Sequence, residues 1–563
     1  MGDPAPVETF PPLLTATQMR AADAAATAAF GVPSLLLMEN AGRGVADIAR
    51  VELGGSGQGT VAVVCGAGAN GGDGFVAARH LALAGVAVRV MIAAPRDKIH
   101  GDAATMLAAL ERMGSVAVQD GSGWSEPARW GAALAGADVI VDALFGIGVR
   151  GAVGGVPGTA IAAMNAARAR KLAVDVPSGL DADSGRAEGA VFRADVTATM
   201  GARKLGLYLE ADAPVGRVEV VSLGVPLPTA GAVGARSFLL DGGAVGSRLP
   251  RRSPSAHKTS SGHLLVVAGS PGKTGAAVLV GQAALRAGAG LVTLASTAAG
   301  QKALDAKVVE VMTAAYASRD DGDPEAVARA IAKLAARAQA IVMGPGIPTG
   351  DRMRDVVRQV AATAPQPMVL DADALNALGT DAPAVLVQTT APRVLTPHPG
   401  EMGRLVGAPT ATVQADRLGH AARLAAATGA IVVLKGARTI IAAPDGATYV
   451  SPIACAALAT AGSGDVLAGV IGALLARGCD ALAAAQCAVY VHGVAGTELA
   501  AGLGDGVAAG DLPQTIATVM ARLQRGEASG PPRAGRPRPP ASRGRGSHPR
   551  RPSSPKPRRR PRR

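Results

Sequence analysis

The residues best placed to do chemistry stand on glycine-rich turns that follow short apolar runs. Val61–Cys65 is apolar and rich in β-branched residues, and five of the nine positions from Gly66 to Gly74 are glycine. The bare amides of such a turn, leading into a helix N-terminus, attract phosphate or another anion. Gly66, Gly68 and Gly71 satisfy G-x-G-x-x-G, but the acid expected about twenty residues on, to read a ribose, is missing. Val86–Ile92 carries Arg89 there and no carboxylate. On spacing alone, a phosphate or dinucleotide site and a purely structural turn both remain open. Asn70 and Asp73 exceed what a tight turn needs and are candidates for a ligand or a cation. Two further strands end the same way: Ala137–Gly146 carries Asp142 near its tip and runs into the loop Gly146–Gly151, and Leu172–Gly179 carries Asp175 and Ser178. Open α/β sheets bind ligands at the carboxyl ends of their strands, so these tips predict one shared site.

A second constellation lies in the other half. Thr460–Asp465 (TAGSGD) opens an apolar helix predicted from Val466. Its glycines and the helix N-terminus form a preorganised anion hole, and Asp465 is placed to take a proton from a substrate hydroxyl facing it. The plainer role for Asp465 is a first-turn acid offsetting the helix dipole. Other predicted strands end at Gly344–Gly346, at Asp371–Asp373, at Thr396–Glu401 and at Lys435-Gly436. His398, between two prolines, is expected to contact a ligand from a rigid loop. Gly269–Thr274 invites a phosphate-loop reading, which fails because Val267 stands where the first glycine belongs. No histidine pair has metal-ligand spacing, so no zinc site is expected.

The elements that must hold these groups alternate strand and helix, which predicts α/β architecture with parallel sheets. Residues 15–50 read as two helices, the first capped by Thr15 or Thr17 and broken at Gly31–Pro33, the second starting at Ser34. In the second, Glu39 and Asn40 interrupt the apolar face of Leu37–Gly42, as a solvated edge at a helix–helix contact would. The chain has 563 residues, 48% hydrophobic and 2% aromatic, so its cores must be built from Ala, Val and Leu. Its net charge of +13 is concentrated in residues 526–563, where thirteen basic residues accompany one Glu. That Pro/Arg-rich tail is expected to be disordered, and without interleaved aromatics it offers no stacking platform for bases. Cys65, Cys455, Cys479 and Cys487 form no C-x-x-C pair and read as free thiols of a reducing compartment. No uncharged apolar stretch reaches the roughly 18 residues that span a bilayer. A soluble, cytoplasmic, homo-oligomeric protein is expected, with no membrane and no specific nucleic acid among its partners.

In order and number, the motifs resemble the bifunctional NAD(P)H-hydrate repair family, which joins an epimerase domain to an ADP-dependent dehydratase domain. In the first half they are Met19–Asp23, Leu37–Gly42, the 66–74 loop, Val141–Gly146 and Asp175–Gly179. In the second they are Ala256–Lys258, Gly275-Ala276, Arg286–Thr293, Gly344–Gly346, Leu370–Asn376, Thr396–Glu401, Lys435-Gly436 and Gly462–Asp465. The resemblance implies two three-layer α/β/α domains. Residues 1–229 would be a Rossmann-like epimerase, 230–256 a linker, 257–525 a ribokinase-like dehydratase and 526–563 the tail.

It further implies that the first domain interconverts the R and S forms of hydrated NADH or NADPH at C6. Ala69, Asn70, Gly71, Gly72 and Asp73 would contact the substrate, with Gly146, Ile147, Gly148, Val149, Arg150, Gly151, Ala152 and Asp175 completing the pocket. A potassium ion would be held by Asn70, Asp142 and Ser178. Where the family usually has asparagine this chain has Ala69, so weaker substrate contact is expected and not a lost site. Lys204 and Asp175 are candidate proton-handling groups. In the second domain ADP would phosphorylate the C6 hydroxyl of the S form, and departure of phosphate would restore the nicotinamide and leave AMP. Asp465 would be the base, with Ser463 and its neighbouring glycines on the transferring phosphoryl group. Lys435, Gly436, Ala437, Arg438, Thr439 and Gly464 would border the nucleotide. Ala276, Gly346 and His398 would line the hydrate pocket beside Asp465, and magnesium would accompany ADP. The alternative is a small-molecule alcohol kinase fused to a non-catalytic nucleotide-binding module.

Overall fold

Short β-branched runs fold into two sheets, and the carboxyl ends of the parallel strands carry the polar tips. The computed structural model describes residues 9–54, 58–226, 230–317 and 323–527. The expected disordered tail lies almost wholly outside the described residues. In chain order the strands of the first half are β1 (Pro12–Leu14), β2 (Thr60–Cys65), β3 (Ala87–Ile92), β4 (Ala117–Asp120), β5 (Val139–Ala143), β6 (Arg170–Val174), β7 (Val196–Met200), β8 (Arg203–Lys204) and β9 (Arg217–Val221). Seven of them form an all-parallel sheet in the order β4-β3-β2-β5-β6-β7-β9. The order reverses between β2 and β5, which opens a crevice where the Gly66–Gly74 and Asp142 segments emerge. Along β2, Val61, Val63 and Cys65 enter one core while Ala62 and Val64 enter the other, so helices cover both faces.

The second half adds β10 (Ser237–Leu239), β11 (His263–Val267), β12 (Leu291–Thr297), β13 (Met312–Ala317), β14 (Ala340–Met343), β15 (Met368–Leu370), β16 (Arg393–Leu395), β17 (Ile431–Leu434), β18 (Ile440–Ala442) and β19 (Thr448–Val450). The sheet runs β13-β12-β11-β14-β15-β16-β17-β18-β19-β10-β1-β8. It is parallel from β13 to β17, and β18 then turns back antiparallel. Leu264 and Val266 face one core and Leu265 and Val267 the other.

Three features depart from the sequence reading. The helix expected to follow the Gly66–Gly74 turn begins inside it, at Ala69, so Asn70 to Asp73 lie in its first turns. Glycine's low helix propensity hides this start, yet close packing demands it: a Cβ on Gly71 would sit 2.1 Å from the Gly66 carbonyl oxygen. Likewise the helix predicted from Val466 begins at Ser463, which puts Asp465 in its first turn. Residues 230–256, read as a linker, contain β10 and the helix Gly242–Arg248, capped by Asp241. Through β10, the strands β1 and β8 of the first half join the second sheet, and a shared core of Leu13, Leu205, Leu207 and Tyr208 with Leu239 and Val450 seals the join.

The paired N-terminal helices are Ala16–Phe30, with Thr15 and Gln18 as a capping box, and Ser34–Glu52. Glu39 bonds Arg79 and His80 of the neighbouring helix, and Asn40 donates to the Leu223 carbonyl at 2.9 Å. Glu39 thus makes the helix–helix contact expected, whereas Asn40 ties its helix to the segment after β9. Among the described residues no single helix is long and apolar enough to cross a membrane. All four cysteines are free.

Candidate functional site

The crevice of the first sheet is a cavity of ≈ 1000 Å³. Ala69, Asn70, Asp73, Gly146–Arg150, Ala152 and Asp175 all line it, while Gly71, Gly72 and Gly151 do not. Asp142 and Ser178 lie in the wall behind, both fully buried. Asp142 accepts from the Ser178 amide at 2.8 Å, the Ser178 hydroxyl at 2.6 Å and the Leu144 amide at 3.2 Å. Burial raises its carboxyl to about 6, and the groups that pull it back are these donors and no cationic side chain. Asn70 faces the same loop: a Cβ on Gly146 would lie 3.1 Å from Asn70 Oδ1 and 3.2 Å from Asp175 Oδ2. Asn70 Nδ2 is buried without a hydrogen-bond partner. Oxygen donors beside an uncompensated buried carboxylate suit a hard, weakly polarising cation.

Asp175 takes up a φ of +66°, a strained conformation for a residue with a Cβ. Contacts to its Oδ1 hold it there: the Lys204 ammonium at 2.5 Å and the Met200 amide at 3.1 Å. Lys204 is fully buried and also donates to Thr199 Oγ1 and to the Met200 carbonyl, which spends its three protons. This one cation is shared with Asp23 and Asp73. Burial raises Asp23 to about 6, and Asp73 is pushed well above the usual range by burial and by Asp175. Asp23 lines the cavity, and its Oδ1 is buried without a donor. The sequence reading quoted Asp23 within a motif but assigned it no role. Its helix lies far from the glycine loop in sequence, and only the fold brings them together.

At the mouth of the second sheet, Asp465 stands in the first turn of the helix Ser463–Ala476. Burial raises it to about 7, helped by Asp371 and opposed by Lys435. Lys435, at the end of β17, bonds Asp371 at 2.7 Å and lies 3.8 Å from Glu401. Burial alone would lower its ammonium, but Asp371 and Glu401 outweigh this and raise it, so it stays charged. A Cβ on Gly464 would lie 3.2 Å from Lys435 Nζ, which puts base, ammonium and helix amides around one point. Gly346 and Ala276 are neighbours, 3.4 Å from a Cβ built on the former to the Cβ of the latter. His398 is first of all a cap: its Nδ1 accepts from the Gly400 and Glu401 amides at 3.0 and 3.3 Å, leaving the half-exposed ring fixed at the end of β16.

Gly436 to Thr439 form the turn between β17 and β18. Arg417 donates to the Ala437 and Arg438 carbonyls at 2.9 and 3.1 Å, and Thr439 bonds the Gly436 carbonyl at 2.9 Å. Sequence reasoning missed two supports of this site. Asp371 anchors Lys435 and accepts from Thr396 Oγ1 at 2.7 Å. His492 is buried, held near pKa 4 by burial, and its Nε2 lies 3.2 Å from Ser463 Oγ. A lone histidine in an apolar helix carries no signal of such a partner.

Both halves of the chain match known protein families. Residues 34–206 match a family described as YjeF-related protein N-terminus, and residues 264–518 match NAD(P)H-hydrate dehydratase. The bifunctional NAD(P)H-hydrate repair enzyme of Moorella thermoacetica is 42% identical over 522 residues, 91% of this chain and 97% of its own length. This chain belongs to the bifunctional NAD(P)H-hydrate repair enzymes. The Escherichia coli member is 34% identical, over 81% of this chain and 84% of its own. A solved ADP/ATP-dependent NAD(P)H-hydrate dehydratase from Bacillus subtilis, co-crystallized with ATP/Mg2+, is 31% identical over 51% of this chain and 98% of its own, with a TM-score of 0.42. Relatives matching both halves at once leave unfavoured the alternative of an alcohol kinase fused to a non-catalytic nucleotide-binding module. In this repair enzyme the exposed Ala69 lines the first cavity, whereas Asp142 is fully buried behind it.

Proposed function

We propose that this chain repairs hydrated NADH and NADPH at two centres, one per sheet. The observation that carries the reading is a pair of polar clusters at the carboxyl ends of parallel strands, Asp23 and Asp73 in the first-sheet cavity and Asp465 beside Lys435 in the second, each with a carboxyl raised above its usual range.

In the first pocket, a protonated Asp23 or Asp73 gives its proton to the C6 hydroxyl. The C6–O bond breaks, water leaves, and the ring nitrogen's lone pair forms N1=C6. Water then adds to the opposite face and returns a proton to the carboxylate, so R and S forms interconvert with nothing consumed. Asp175, held by the Lys204 ammonium and the Met200 amide, faces the ring from the cavity wall. Asn70, Asp142 and Ser178 would hold potassium, which would supply a fixed positive charge against the buried Asp142.

At the second centre, Asp465 takes the proton from the C6 hydroxyl of the S form as that oxygen attacks the terminal phosphate of ADP. AMP departs; phosphate then leaves C6 as the ring nitrogen's lone pair forms N1=C6, and loss of a C5 proton to the departing phosphate forms C5=C6 and restores the nicotinamide. Converting hydroxide into phosphate makes a leaving group of it, and Lys435 with the Ser463 and Gly464 amides stabilises the charge on the transferring group. Gly436 to Thr439 border the nucleotide, and Gly346, Ala276 and His398 border the hydrate. Magnesium enters with the nucleotide phosphates; among the described residues no cluster of three His, Cys, Asp or Glu would hold it alone.

The test supplies purified protein with racemic hydrated NADH, ADP and magnesium and follows regained nicotinamide absorbance. Complete recovery supports both centres. A stall near half of the substrate removes the epimerase, and no recovery removes the dehydratase.

A further inference from the structure

A second polar cavity, of ≈ 440 Å³, lies in the second half away from the catalytic mouth. It is lined by the turn Pro250–Ser261 and by Arg477. The turn leads into His263, the first residue of β11, so the cavity lies at the amino ends of the strands whereas Asp465 lies at the carboxyl ends. Arg477 caps the C-terminus of the helix that Asp465 opens, about 18 Å away at 1.5 Å per residue.

Three arginines converge here. Arg252 donates to the Gly288 carbonyl at 2.8 Å, and Arg477 donates to the Ala287 and Pro250 carbonyls at 2.9 and 2.8 Å. Arg251 bonds the Gln524 carbonyl. None of the three pairs with a carboxylate among the described residues, and none of the lining residues is acidic. Arg252 is close enough to Arg477 for their repulsion to add to the burial that lowers Arg477.

The plain account is that these guanidiniums cap helix C-termini. The helices Thr274–Arg286, Ser463–Ala476 and Leu512–Gln524 do end here. Each terminus carries roughly −0.5 charge, so three offset only about half of three guanidiniums. A positive excess remains, and most of the N–H donors on Arg251 and Arg252 are left over from the carbonyl bonds. The turn adds hydroxyls: Ser253 and Ser255 meet at 2.9 Å, with Ser260 beside them. His257 Nδ1 accepts from the Ser260 amide at 3.2 Å, which leaves its proton on Nε2 as a further donor. Several guanidinium donors, hydroxyls and an imidazole N–H around a small cavity match the three oxygens of a phosphate group.

We propose that this cavity binds the phosphate group of a small phosphorylated molecule, at a site separate from the dehydratase centre. The probes are inorganic phosphate and AMP, titrated calorimetrically into the full-length protein. Arg252→Gln and Ser255→Asp are each expected to weaken phosphate binding about tenfold or more, Arg252→Lys to retain most of it, and all three to leave the dehydration kcat unchanged at saturating ADP. Ser255→Asp bonds no helix carbonyl and decides the matter if Arg252→Gln fails to fold. AMP binding more tightly than phosphate assigns the site to nucleotides, and equal affinity assigns it to the phosphate group itself. A phosphate affinity that Lys435→Ala removes while Arg252→Gln and Ser255→Asp leave it intact would overturn the proposal.

Discussion

Asp465 can act as a base only when ionised, and its surroundings set when that happens. With its carboxyl held up to about 7, dehydration is expected to rise with pH through about 7 and then level off. Asp465→Asn should lower dehydration by roughly 10²- to 10⁴-fold while leaving R/S interconversion intact, read by chromatographic separation of the epimers. Loss of both activities would contradict independent centres. The same carboxylate burdens the fold. Its pKa is higher folded than unfolded, so the cost of ionising it is absent below the ordinary value of 3.8 and complete above about 7. Asp465→Asn should therefore raise Tm at pH 8 and leave it unchanged at pH 4. In the other pocket, Asp23→Asn should slow interconversion about 100-fold and spare dehydration of the S form. An unchanged interconversion rate would remove Asp23 from the proton transfer. Asp465 was legible in the sequence because donors and acid fall within four residues. Asp23 and Asp371 were not, because their partners come from distant strands and helices.

At the level of elements, the long parallel strands were legible from their β-branched runs, and the glycine turns from composition. Both key helices start earlier than expected because glycines in their first turns are poor helix formers, Gly71 kept by the close Gly66 backbone, Gly72 by the Met38 side chain and Gly464 by Lys435. β1, β8 and β10 are two or three residues long, too short to show any period, so their joining of the second sheet had no sequence signal. The helix Ala69–Leu83 sets a test of the first cavity. Ala69 is its first residue, exposed on the cavity rim and followed by the buried Asn70. Ala69→Asn adds one amide that can reach substrate without displacing the packed turn. A hydrogen bond worth about 1 kcal/mol predicts a roughly fivefold lower KM for interconversion. The kcat should hold if the contact is made equally in ground and transition states. A rise in KM would show that the rim is closed to a larger side chain.

At the scale of the whole molecule, the two centres are separate in chemistry but joined in structure. The turn Gly436–Thr439, which we propose borders the nucleotide, rests on the first half: the Arg438 guanidinium lies 5.6 Å from the centroid of the Tyr208 ring. Arg186 of the first half donates to the Gln414 carbonyl at 2.8 Å, near Arg417, which itself holds the Ala437 and Arg438 carbonyls. Arg438 adopts a φ of +56°, a conformation that needs outside support to persist. Its cation–π contact with Tyr208 is worth about 0.5–2 kcal/mol, and removing it lets the turn relax. Tyr208→Leu keeps most of the apolar volume and removes the ring face. It should raise the KM for ADP by roughly 2- to 30-fold in the dehydration assay, with Asp465 ionising over the same pH range. Tyr208 is absent from the lining of the first cavity, so R/S interconversion should continue at its normal rate. An unchanged KM for ADP would mean that the second half holds its own nucleotide turn, and that the fusion serves only to keep two catalysts on one chain.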